Sequence, residues 1–178
     1  MFRVEKLNSH FVNLTNEADG LLGDLERETD RGAALLGVAF IDDVLDAVLR
    51  AHFVDDEKAV HKLLGPGRPV ESFGTRTHLA FCLGLLGPDT YSDMNLIREI
   101  RNEFAHRQPV SFEGEMVKSR IERLRAVDVL AGGVPMTCRE RFVVSVVLIV
   151  NHLAAFGHTV TRARVGKDFT SNGMLRLR

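Results

Sequence analysis

Between residues 30 and 53 the chain keeps Ala34, Gly37, Val38, Ile41, Leu45 and Val48 in register along one side of a helix. A strand would scatter these side chains over both faces, so the pattern dictates a long central helix. Asp30 is placed to cap its start. The small residues Ala33, Ala34, Gly37 and Ala39 let a neighbouring helix approach closely. No segment shows sustained apolar/polar alternation with hairpin signals at its ends. The expected fold is therefore all-α, a single-domain multi-helix bundle. A chain of 178 residues, 45% of them hydrophobic, is long enough to close one core without disulfides or metals.

Further helices are expected over 17–28 and 56–64, the second ended by Gly65-Pro66-Gly67. Another is expected over 75–86, stopping at Gly87-Pro88, with Asp89 or Thr90 capping a helix that carries Tyr91, Met94, Leu96, Ile97, Ile100 and Phe104 and ends before Pro109. A helix over 115–127 would turn Met116, Ile121 and Leu124 inward. The segment 137–158 is β-branched from Phe142 to Val150 and would suit a buried strand by propensity. Its length and the lack of partner strands favour a buried helix, and its apolar run is too short to span a bilayer. Residues 1–14 read as an N-terminal arm, 15–160 as the helical domain and 161–178 as a basic C-terminal tail.

Charge narrows the function classes. The formal net charge of −1 gives no overall bias toward nucleic acid, but residues 15–60 carry a balance of −8 and residues 118–178 one of +7. A nucleic-acid or partner surface would draw on Lys118, Arg120, Arg123, Arg125, Arg162 and Arg164; otherwise these are solvated helix faces. No short helix pair with a Gly turn and a basic recognition face can be placed, so direct sequence-specific DNA reading is not expected. The two cysteines, Cys82 and Cys138, form no CxxC and read as reduced core thiols of a cytoplasmic protein. The start MFRVEKLNSHF lacks the apolar run of a signal peptide.

The seven histidines form no HxxxH or HExxH pattern, no glycine-rich phosphate loop is present, and no metal or cofactor is expected. Chemistry concentrates in Arg98-Glu-Ile-Arg-Asn-Glu-Phe-Ala-His106. A histidine side chain can exchange a proton near neutral pH and an arginine can stabilise phosphorane charge, so His106 and Arg101 supply the residue types of a metal-free RNA-cleaving site with Asn102 beside them. Arg101 lies five residues before His106 and about 140° around a regular helix, so the three flank one groove only if the helix loosens. The alternative is that Arg101 pairs with a carboxylate of the central helix while Asn102 and His106 brace the helix end. Asp42 and Asp43 interrupt the apolar central helix. Asp43 shares a face with Leu36, Phe40 and Ala47, is expected at least half buried, and needs a partner in Arg98 or Arg101, whereas Asp42 is expected to be wetter.

Several blocks in order, Asp30-Arg-Gly-Ala-Ala-Leu, Phe40-Ile-Asp-Asp-Val-Leu, Phe53-Val-Asp-Asp, Gly65-Pro leading to Ser72-Phe73, Leu79-Ala-Phe-Cys-Leu-Gly-Leu and Asn95-Leu-Ile-Arg-Glu-Ile-Arg-Asn-Glu-Phe-Ala-His, resemble the mannitol operon repressor family over residues 28–113. That resemblance implies an all-helical cytoplasmic regulator of transcription that acts through a regulatory protein partner, with non-specific nucleic-acid contact through the basic region as the lesser route. A looser resemblance, carried by Arg101, Asn102 and His106, is to the HEPN superfamily of small helical domains. It implies, as the competing function, a metal-independent endoribonuclease whose site forms across a homodimer. A small-molecule sensor remains a third class, with no residue naming its ligand.

Overall fold

The computed structural model describes residues 16–107, 109–129 and 135–166. Among these residues seven α-helices follow one another: α1 (Asn16–Arg27), α2 (Asp30–His52), α3 (Glu57–Leu64), α4 (Phe73–Cys82), α5 (Pro88–His106), α6 (Glu115–Ile121) and α7 (Cys138–Gly157), with a 3₁₀ turn at Ala126–Val129 between the last two. No strand occurs among the described residues.

α2 is the axis of the bundle. Its stripe of Ala33, Ala34, Gly37, Val38, Ile41, Leu45, Val48 and Leu49 is buried, packing most extensively on α7 and then on α5. Ala39 is exposed, so only three of the four small residues form the close-approach face. The cap is Thr29, whose hydroxyl accepts from Gly32 N–H, and Asp30 is the first helical residue.

The β-branched segment is a helix. α7 opens with a capping box, Thr137 with Glu140, and buries Phe142 through Val147 without a gap, together with Ile149 and Leu153. It is long and apolar enough to cross a membrane by length and composition, but here it is the core helix, packed against α2, α1 and α6. Phe112, in the loop after α5, joins the two sides of the core: its ring lies 4.8 Å from Phe104 and 5.0 Å from Phe142.

Two helices end earlier than the sequence spacing suggests. α4 stops at Cys82 because Gly84 takes a left-handed conformation (φ 72°). Leu85 N–H then reaches Ala80 carbonyl at 2.9 Å and Gly84 N–H reaches Phe81 carbonyl at 3.0 Å, closing a Schellman turn before Gly87-Pro88 is reached. α6 stops at Ile121, six residues short of the expected end at 127, because the amides of Arg125 and Ala126 donate to the Asp93 carboxylate of α5 instead of continuing a helical ladder. Met116, expected inward, faces outward at 51% exposed, and Val117 takes the inward place. Beyond α7, Ala163 N–H donates to His52 carbonyl and Arg162 pairs with Asp55 at 2.6 Å, so residues 162 and 163 lie against the end of α2. The expected arm 1–14, the loop 131–134 and the tail from 167, with Lys167, Arg176 and Arg178, lie outside the described residues.

Candidate functional site

The polar stretch of α5 divides between two surface grooves. Arg98, Arg101 and Asn102 line one of them, a cavity of about 460 Å³ walled by Val38, Ala39 and Asp42 of α2 and by Ser72, Phe73 and Gly74 at the start of α4. Arg98 lies across Gly74, where an added Cβ would sit 3.3 Å from its Cδ, and its buried Nε has no hydrogen-bond partner. Arg101 donates to Asn102 Oδ1 at 3.1 Å. Among the described residues neither arginine has a carboxylate within ion-pair distance. His106 is exposed at the other side of the helix end and lines a separate open cavity of about 730 Å³ with Glu103, Arg107, Ser111 and Met116. α5 runs regularly through His106, with Arg107 N–H donating to Glu103 carbonyl at the cap. The loosening that would bring Arg101, Asn102 and His106 around one phosphate does not occur.

The expected roles of the two central aspartates are reversed. Asp43 is exposed and makes no ion pair among the described residues, because its face, with Leu36, Phe40 and Ala47, is only the rim of the core. Asp42 carries the contact, and its partner is Arg76 of α4, with neither Arg98 nor Arg101 involved. Arg76, whose side chain is 13% exposed, reaches Asp42 Oδ2 at 2.8 Å, donates to Leu64 carbonyl at the end of α3, and stands 3.4 Å from Asp46 Oδ1 in a charge contact without hydrogen-bond alignment. One guanidinium therefore joins three helices. The signal for it was present in the i,i+4 spacing of Asp42 and Asp46, which asks for a shared cation.

Burial pushes the Asp42 carboxyl above the ordinary carboxylate range; the Arg76 hydrogen bond and charge pull it back, and Asp43 and Asp46 push it up again. A carboxyl raised on folding stabilises the fold most below its unfolded pKa of about 3.9 and loses that contribution as pH rises through the folded value. The stability difference between wild type and Asp42→Asn should therefore shift in favour of wild type as the pH falls from neutrality toward about 4. Urea midpoints of the two proteins across that range test it, and a difference independent of pH refutes it.

Arginines of the C-terminal half serve mainly as internal ties. Arg139 donates to Leu25 carbonyl at 3.1 Å and to Glu28 carbonyl, closing the end of α1, and pairs with Asp30 at 2.5 Å. Arg141 does the same for the end of α6, donating to Ile121 and Leu124 carbonyls. Of the expected surface, Arg120 is clamped to Glu99 at 2.9 Å and faces Glu103 at 3.6 Å, and Arg125 pairs with Asp89. Lys118, Arg123 and Arg164 are exposed.

A helical bundle with α2 as its axis, strand-free among the described residues, is a fold that two solved structures share. One is the X-ray structure of the MtlR-HPr complex from Escherichia coli, at 17% identity and TM-score 0.66, covering 79% of this chain and 99% of that one. The other is the crystal structure of YggD, a possible transcriptional regulator from Shigella flexneri 2a str. 2457T, at 15% identity and TM-score 0.60, covering 81% and 96%. At these identities the likeness is one of fold. The family model described as mannitol repressor matches residues 19–141, and the chain belongs to that family of transcriptional regulators. No curated protein matches.

Proposed function

We propose that this chain regulates transcription in the cytoplasm by holding a protein partner of the HPr type, without reading DNA through a module of its own. The observation that carries the reading is the fold shared across 99% of a relative solved together with HPr. The electrostatics support it. Arg120, Arg125 and Arg162 are occupied by carboxylates of the chain itself, which leaves few cations to release counterions from a phosphate backbone. Among the described residues no helix pair presents a basic recognition face. The separation of Arg101 from His106 into two grooves gives no support to RNA cleavage within one chain.

Titration calorimetry of the full chain with HPr from the same organism is expected to show a one-to-one complex, while operator DNA and an unrelated duplex of equal length bind alike and weakly. Absence of any heat with HPr, together with a clear preference for one DNA sequence, would overturn the proposal.

A further inference from the structure

The last turn of α4 carries an arrangement that the regulatory reading does not use. Cys82, expected in the core, is exposed. Its Sγ lies 3.8 Å from Nε2 of His78, one helical turn earlier, and Nδ1 of the same ring lies 3.1 Å from the Tyr91 hydroxyl across on α5. Tyr91 is held in turn by Phe81, whose ring stacks on it at 4.3 Å and 17°. The chemistry follows from the proton count of a neutral imidazole, which carries one N–H. If Nδ1–H donates to the tyrosine oxygen, Nε2 presents its lone pair to the thiol. A nucleophile, a base within reach and a group that orients the base are the three parts of an activated thiol.

We propose that Cys82 is a thiol–disulfide exchange site that takes up a low-molecular-weight disulfide such as glutathione disulfide. His78 Nε2 accepts the Sγ proton as Sγ attacks one sulfur of the disulfide. The S–S bond breaks, its electron pair leaves on the distal sulfur, and that thiolate takes the proton back from His78. The products are Cys82 in a mixed disulfide and one free thiol, so atoms and electrons balance with the disulfide as the only oxidant. The adduct would stand beside Phe81 and Leu83, each 36% exposed, and cover that apolar patch with a charged peptide. Cys138 supplies an internal control. Burial, together with a hydrogen bond and the charge of Glu113, pushes its thiol up, away from the reactive thiolate.

The test is the rate of mixed-disulfide formation when the folded, reduced protein meets glutathione disulfide, followed site by site by peptide mass. Cys82 is expected to react at least ~10-fold faster than Cys138, and His78→Ala to slow Cys82 by ~10-fold or more. Because His78 is exposed, the variant should fold as wild type by circular dichroism. Added imidazole should restore part of its rate, which a merely structural role for His78 would not allow. Tyr91→Phe, which keeps the stacked ring, should slow Cys82 to a smaller degree. Equal rates at the two cysteines, or a His78→Ala protein that reacts as fast as wild type, would overturn the proposal.

Discussion

Asp93→Ala should cost the protein about 2–5 kcal/mol of stability, seen as a large fall in the urea midpoint. Asp93 is 1% exposed. Both its carboxylate oxygens accept from Arg125 N–H at 3.0 Å, and Oδ2 also accepts from Ala126 N–H at 2.7 Å. Alanine would remove the acceptor of two amides in a turn whose backbone is folded around it. Each buried amide left unpaired costs roughly 1–3 kcal/mol, which sets the range. Burial pushes the Asp93 carboxyl up, the two amides pull it back, and Asp89 and Asp128 add to the rise. The charge is therefore held at a cost, and it is the acceptor geometry that earns its place. Asp93→Asn, which keeps one carbonyl oxygen and removes the charge, should lose less than half as much as alanine. Asp43→Ala, at the exposed aspartate of α2, should stay within about 0.5 kcal/mol of wild type. An Asp93→Ala protein as stable as the Asp43 variant would show that the turn does not depend on this carboxylate.

The contrast between these two aspartates shows where the sequence is legible. Helical periodicity reports which face of one element is apolar, and it placed α2 and α5 with their inward residues because those stripes are long, whereas α7, buried without a gap from Phe142 to Val147, was read as a helix from its length. Periodicity does not report which neighbour a rim residue meets. Asp43 looked buried because Leu36, Phe40 and Ala47 share its face, but no helix covers that face completely, and the partner that matters, Arg76, arrives from α4 onto Asp42. The same holds for helix ends. The Schellman turn at Gly84 and the Asp93 turn at Arg125 are made by hydrogen bonds to backbone groups, one local and one reaching 32 residues back along the chain. The second has no local sequence signal at all. In the candidate site, the residue identities of the Arg98 to His106 stretch were visible from the start. That Arg101 and His106 serve different grooves depends on α5 remaining regular to its last turn. The pairing of Cys82 with His78 was readable as an i,i+4 spacing, but the exposure that makes it chemical was not, since Leu79-Ala-Phe-Cys-Leu has the composition of a core strip.

Where the stripe of small residues was read as a close-approach face, the structure gives it a distance, and with it the second large effect. A Cβ at Gly37 would stand 3.2 Å from Val146 Cγ2 and 3.5 Å from Phe142 Cε1, both on α7. Gly37→Ala asks those side chains to give by a few tenths of an ångström and gains up to about 1 kcal/mol of helix propensity, so the two nearly cancel. Gly37→Leu has no such balance. Its branched side chain needs the space occupied by Val146 and Phe142, which are buried and fixed in the core, and α2 and α7 would have to part along their longest contact. A loss of about 3 kcal/mol or more is expected, at the upper end of overpacking. Combining Gly37→Ala with Val146→Ala distinguishes this account from a general intolerance of the site. The alanine at 146 vacates the atoms that a Cβ at 37 would meet, so the pair should be more stable than the sum of the single changes predicts. Strict additivity, or a leucine tolerated within about 0.5 kcal/mol, would mean that the two helices are not in the close contact on which the bundle is built.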